Sequence, residues 1–369
     1  MVGMFSKGLK GIVAAQTSIS EVNGEEGVLI YRGFEVGDLI HRSFEEIAFL
    51  IWMGRLPDKR EAENITGEMK ALRSLSPVME KVLSSLPADM DMMSVIRTVI
   101  SAEGDERYNW KPSIEQAVRL TAVLPAIIAG RYHMLNGTDM DEPDPDLSHV
   151  ANYLFMLTGR RPSRTVVDAL ETYMILTMEH GMNASAFSAR VTASTESDMV
   201  SAITSAIGTM KGPLHGGAPS AVIELLEEIG TPDQAEHVLR RKLLQGEKLM
   251  GFGHRVYKTH DPRAAALRNK LSTSIGGDQS LDLALIVEET GIELLKEFKP
   301  GRSLYTNVEF YAAAIMKSIQ LETSLFTPTF TASRIVGWTA HVLEQAEDNT
   351  IYRPQSEYVG QQRKSAFKE

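Results

Sequence analysis

Three segments of this 369-residue sequence carry side chains suited to chemistry on carbonyls and carboxylates. In Gly212-Pro213-Leu214-His215-Gly216-Gly217, glycines around one histidine allow close backbone approach and leave the imidazole unshielded. In Gly251-Phe252-Gly253-His254-Arg255-Val256-Tyr257-Lys258, a flexible backbone adjoins His254 and Lys258, with Arg263 beyond them. Cations beside open amide groups suit phosphates and carboxylates. In Tyr305-Thr306-Asn307-Val308-Glu309-Phe310-Tyr311, Asn307 stands where it can cap a helix. Glu309 then falls in the first turn, where the helix dipole favours an ionised carboxylate. Singly, these segments also read as a Gly-rich turn, a solvated basic turn and an ordinary acidic first turn. His180 at a helix end, Arg334 on a late helix and Arg353 in Tyr352-Arg353-Pro354 are equally ordinary one by one.

Several other chemistries lack their residues. The GxG at 251–253 would need a third glycine at position 256, which is Val256, and no βαβ unit surrounds it, so a dinucleotide fold is not expected. There is no GxSxG elbow, no HExxH and no cysteine, and the nine histidines are scattered. No metal site is expected. A net charge of -10 argues against general nucleic-acid binding. The first twenty residues show only short apolar stretches and no cleavage pattern, and no run approaches the ~18 apolar residues of a membrane span. The expectation is a cytoplasmic protein with neither membrane nor nucleic-acid partners.

The elements that must position these residues are mainly helical. GIVAAQTSIS and GVLIYRGFEV are β-leaning pieces broken by Gly24, Gly27 and Gly33. Ser43 with Glu46 then forms a capping-box signature before Ile47, Leu50 and Ile51. Apolar spacing predicts helices at about 60–73, 90–103, 113–134, 146–158, 165–179, 219–229, 232–245, 282–298, 308–319 and 329–346. Asp261 followed by Pro262 predicts another helix start. The acidic segment from Thr138 to Pro145 predicts a surface loop. The fold class expected is mainly α with a minor N-terminal β element.

The ordered combination is more specific than its parts. GPLHGG, GFGHRVYKTHDPRA and YTNVEFYAA, flanked by EHGMNAS, ASRIVGWTAH and YRPQSEY, resemble the citrate synthase family over nearly the whole chain. The likeness is to the short, dimeric bacterial and archaeal forms. It implies a large helical domain, about 1–216 with 320–369, and a smaller one inserted at about 217–319. It implies condensation of acetyl-CoA with oxaloacetate and water to citrate and CoA, with CoA entering as a substrate and no resident cofactor. By motif, His215 matches the residue that stabilises the acetyl-CoA enol, and His254 matches the one that polarises the oxaloacetate carbonyl. Glu309 stands at the base that deprotonates the acetyl methyl group. His180, Arg263 and Arg334 match the oxaloacetate binders. Arg353 matches an arginine given to the partner's site in a homodimer. Lys258 matches a cation for CoA phosphate, and Leu249, Met250, Gly251, Phe252 and Gly253 match the adenine-recognising loop.

One position departs from the family pattern. The base is usually aspartate, in NVDFY, and here it is Glu309. The extra methylene moves the carboxyl by about 1 Å, enough to cost around 10²-fold if uncompensated. The alternatives are 2-methylcitrate synthesis from propionyl-CoA and a non-catalytic CoA-binding paralogue.

Overall fold

The structure is a computed structural model describing residues 5–216, 218–254, 256–274, 279–302 and 304–361, without the side chains at 218–220, 272–274 and 279–281. Gly217 and Arg255, quoted in the motifs above, lie outside the described residues. The chain opens on three short antiparallel strands in the order β1 (Ser20–Asn23), β2 (Val28–Tyr31) and β3 (Phe34–Glu35). Ser20 pairs with Tyr31 and Asn23 with Val28. The β-leaning stretch before Ser20 is not strand, so the sheet is smaller than its sequence suggests.

Helices follow without interruption: α1 (Val36–Leu39), α2 (Phe44–Met53), α3 (Lys59–Ala71), α4 (Pro77–Ser85), α5 (Met92–Ser101), α6 (Ile114–Asn136), α7 (His149–Thr158) and α8 (Arg164–Thr177). Next come α9 (Ala184–Ala193), α10 (Met199–Met210), α11 (Ala218–Ile229), α12 (Ala235–Leu244), α13 (Pro262–Ser274), α14 (Gln279–Phe298), α15 (Val308–Ser318) and α16 (Phe326–Glu347). Local chemistry sets many of their ends. Ser43 and Glu46 form the anticipated capping box of α2, and α3 and α6 start on boxes of their own. Asp261 accepts from the Arg263 amide with Pro262 at the first helical position. The expected loop at 138–145 is present. Helices α4, α9 and α10 carry no prediction above. The apolar stripe of α9 is made of alanines too small to register as a pattern, and α9 packs closely on α10 through them.

Helix α16 is the centre of the molecule. It packs on α2, α5, α6, α8, α9 and α10 and is buried along most of its length. A helix surrounded on all sides is ordinarily apolar throughout, yet α16 buries Thr329, Thr331, Ser333, Arg334, Thr339 and His341. Thr329, Thr331 and Thr339 return their hydroxyl protons to carbonyls one turn back, which removes the cost of burying them. Arg334 and His341 need partners elsewhere, and these are described below. Helices α11, α12, α14 and α15 pack on one another, while α13 lies between α15 and α8. Among the described residues, no helix is long and apolar enough to cross a membrane.

Candidate active site

Six of the anticipated residues converge from five places in the chain. His180 follows α8, His215 follows α10, His254 and Arg263 flank the start of α13, Glu309 opens α15, and Arg334 lies within α16. The His180 and His254 rings are 5.6 Å apart, edge to face. Arg263 Nη2 lies 3.4 Å from His254 Nε2. His180 feels the charges of Arg263 and Arg334, His215 feels Arg334, and Glu309 feels both arginines.

Backbone geometry fixes the state of His254. Its Nδ1 accepts from the amides of Val256 and Tyr257, each at 3.1 Å. Burial, reinforced by Arg263, lowers its pKa to about 4, so near neutrality the single ring proton sits on Nε2. His254 is therefore a neutral donor. His180 bonds the Tyr257 hydroxyl at 3.1 Å, and burial followed by Arg263 and Arg334 holds its pKa well below the usual histidine range.

His215 sits on a turn closed by its own amide, which donates to Gly212 O at 2.9 Å. A Cβ on Gly216 would collide with the Met210 carbonyl, so this glycine is required by close approach. His215 Nε2 lies 2.7 Å from Ser185 Oγ, which also accepts from Trp338 Nε1 at 2.9 Å. Burial, then Arg334, lowers the His215 pKa to about 4.

Asp261 ties Arg263 to Glu309. Its carboxylate takes both Nε and Nη2 of Arg263, at 3.0 and 2.9 Å, and accepts from the Val308 amide at 3.0 Å. One buried acid thus orients the arginine and satisfies the first amide of α15. Asn307 caps α15 by accepting from the Glu309 amide at 3.1 Å, as anticipated, and its Nδ2 donates to Gly253 O at 2.9 Å. Burial raises Glu309 to a pKa of about 7 against the opposing pull of Arg263. Desolvation outweighs the helix dipole here, contrary to the sequence expectation of a readily ionised first-turn acid.

The remaining anticipated residues stand apart. Leu249 is buried, Met250 is exposed, and Phe252 packs edge-on against Phe310. The Gly251 carbonyl accepts from Asn307 N at 2.9 Å, and the Gly253 amide donates to Tyr305 O at 2.7 Å, so this loop's backbone holds the Glu309 segment. Lys258 is exposed and ion-paired with Glu25. Arg353 does not reach the group. It lies beside Tyr352 and Arg190 at a cavity of about 680 Å³ between segments 14–18 and 344–353. Sequence reading missed Ser185, Trp338 and Tyr257. Ser185 lies within the quoted EHGMNAS segment, but nothing local marks it as the partner of a histidine thirty residues later.

Comparison with known proteins identifies the family. The family described as "Citrate synthase, C-terminal domain" matches residues 8–355. A citrate synthase of Haloferax volcanii is 37% identical, over 98% of this chain and 97% of its own. A 2-methylcitrate synthase of Mycobacterium tuberculosis is 40% identical, over 97% of this chain and 91% of its own. The citrate synthase of Thermoplasma acidophilum, solved as a ternary complex with carboxymethyl coenzyme A and oxaloacetate, superposes with a TM-score of 0.88 at 29% identity, covering 99% of this chain and 98% of that one. With a family match across most of its length and full-length relatives above one-third identity, this chain belongs to the citrate synthase family.

Proposed function

We propose that this enzyme condenses acetyl-CoA with oxaloacetate and hydrolyses the resulting thioester to citrate and CoA. The observation that carries the reading is the convergence of a poised carboxyl, two neutral histidines and two buried arginines in one group. A thioester methyl is a very weak acid, so its deprotonation needs a base near its working pH and a donor for the developing oxyanion. Glu309, at about 7, is the base. His215 stabilises the enol oxygen. His254 donates Nε2–H to the oxaloacetate carbonyl and gives up that proton as the new carbon–carbon bond forms. The close approach of Arg263 Nη2 to His254 Nε2 sets two donors side by side, and one substrate oxygen can accept from both. His180, Arg263 and Arg334 hold the two carboxylates.

The reading extends to the molecule as a whole. Residues 217–319 form a small domain, and its closure over 1–216 and 320–369 excludes water until hydrolysis. The enzyme works as a cytoplasmic homodimer in which Arg353 completes the partner's site, consistent with its separation from the other six residues here. The 249–253 loop and Lys258 contact CoA, Lys258 after leaving Glu25. Citrate (Si)-type transfer, with no resident cofactor or metal, is part of the proposal.

A second reading, 2-methylcitrate synthesis, is favoured by the 40% identical relative of that name. A single methylene is worth about 1–3 kcal/mol in an apolar pocket, so both acyl groups are expected to react. The test is CoA release in the presence of oxaloacetate across a panel of acyl-CoAs. A higher kcat/KM for acetyl-CoA supports citrate synthesis, and a higher value for propionyl-CoA selects the second reading. Bound CoA without release identifies a non-catalytic paralogue.

A further inference from the structure

Behind the arginines lies a buried chain of polar groups that none of the roles above employs. Glu179 and His341 are both 0% exposed. Glu179 Oε1 accepts from Ser20 Oγ at 2.9 Å and from His341 Nε2 at 3.1 Å. Arg190 Nε, an obligate donor, reaches His341 Nδ1 at 2.9 Å, so the ring's proton is on Nε2 and is given to Glu179. Arg190 is itself held by Gln345 at 3.2 Å and by an ion pair with Glu344. Glu179 Oε2 has no hydrogen-bond partner among the described residues. It lies against Gly337 of α16, where a Cβ would run into it and would sit 2.6 Å from Met178 O. The Tyr31 hydroxyl takes the Glu179 amide at 3.1 Å and donates to its carbonyl at 2.7 Å.

Arg334 lies one turn from Gly337, with Nε donating to Thr177 O at 2.7 Å and its guanidinium 4.7 Å from the Phe330 ring centre. Burial draws its pKa down, and the charge of Glu179 is the foremost influence opposing that. Burial likewise raises Glu179, but His341, Arg334 and Ser20 together hold it below the usual carboxylate range. Of the two site arginines, Arg263 is ion-paired with the buried Asp261, while Arg334 feels the charge of the buried Glu179 without a direct bond to it among the described residues.

We infer that Glu179 is the counter-charge that sets how tightly the site holds dicarboxylates, acting through Arg334, and that His341 is the positioning residue that keeps it in that role. The inference rests on the reading of Arg334 as a carboxylate binder. An anion behind Arg334 cancels part of its attraction for an incoming anion, and the cancellation scales with ligand charge. A dianion is therefore held less tightly than the two arginines alone would hold it, which favours release of a multiply charged product.

The test neutralises Glu179 by two routes. Glu179→Gln keeps an acceptor for Ser20 and His341 and removes only the charge. His341→Leu removes the donor, and a buried carboxylate so stripped takes up a proton. In both variants KM for oxaloacetate is expected to fall about tenfold, while the dissociation constant for pyruvate, a monoanion, shifts less than half as far on a logarithmic scale. His341→Gln supplies both an acceptor for Arg190 and a donor for Glu179, and restores the higher KM relative to His341→Leu. An unmoved KM, or equal weakening of both ligands, overturns the inference and leaves Glu179 a structural residue. Absence of CoA release by the wild-type protein from every acyl-CoA overturns the proposed function as well, whereas wild-type turnover with an unmoved KM in Glu179→Gln overturns the inference alone.

Discussion

Ser185 Oγ stands 2.7 Å from His215 Nε2 and, at the same distance, from Asn183 Oδ1. A hydroxyl has one proton, and Trp338 Nε1 already occupies one of its lone pairs. If the proton goes to His215, the ring carries its own hydrogen on Nδ1; if it goes to Asn183, His215 must donate through Nε2. The hydroxyl thus selects the tautomer of a neutral imidazole. Ser185→Ala is expected to lower kcat about 10–100-fold, as loss of a partner behind a functional imidazole does elsewhere, with KM for oxaloacetate nearly unchanged. Steady-state kinetics with each substrate varied in turn checks the split.

Glu309 combines function with instability. Its folded pKa of about 7 lies above the ordinary 4.5, so the folded state binds its proton more tightly than the unfolded state. Such a group contributes stability at low pH that is lost as pH rises from about 4.5 through 7. Glu309→Gln should abolish most turnover yet raise unfolding free energy at pH 8 by about 1–3 kcal/mol, with no gain at pH 4. Denaturant titrations at the two pH values decide this. For the wild type, kcat/KM should rise with pH through an acid limb near 7.

Glu171 offers the same physics without the chemistry. It accepts from the Phe44 amide at the start of α2, and burial raises it to about 7. Glu171→Gln keeps the acceptor and removes the charge. We expect about 1–3 kcal/mol of stabilisation at pH 8, vanishing at pH 4, and unchanged CoA release. A variant no more stable at pH 8 than at pH 4 contradicts the assignment.

Asp261→Asn should be costly. It leaves the buried Arg263 without its paired carboxylate and weakens the cap on Val308. Breaking one side of a buried pair costs about 3–5 kcal/mol. Thermal unfolding should show a lowered transition, and bound oxaloacetate should recover part of it by supplying a replacement anion to Arg263.

The predominance of helix and several capped helix starts were legible because they sit beside punctuation such as the Asp261-Pro262 start and the Asn307 cap, whereas the six converging residues, Arg334 within an unbroken helix among them, were legible only through the ordered set of motifs that resembles the family. Such signals are local, and local chemistry is what a sequence displays. The partners that decide the charge and tautomer of those residues were not legible. Glu179, Ser185, Trp338 and His341 lie among apolar neighbours, and each gains meaning only from a contact more than 25 positions away. The rise of Glu309 was misjudged for the same reason, since burial is a property of the packed chain. The strand expected before Ser20 failed because alternation alone does not supply a pairing partner.

The turn between β1 and β2 presses against the segment that carries His254. A Cβ at Gly24 would strike the Val256 carbonyl, one at Gly27 would lie 2.7 Å from Thr259 and 2.8 Å from His260 O, and the Lys258 amide donates to Gly24 O at 2.8 Å. For anyone redesigning this protein, that turn is therefore the wrong place to graft a tag, a linker or a loop from a relative. Its exposed position near the chain start invites such use, yet bulk added there would be felt at the imidazole more than two hundred residues downstream.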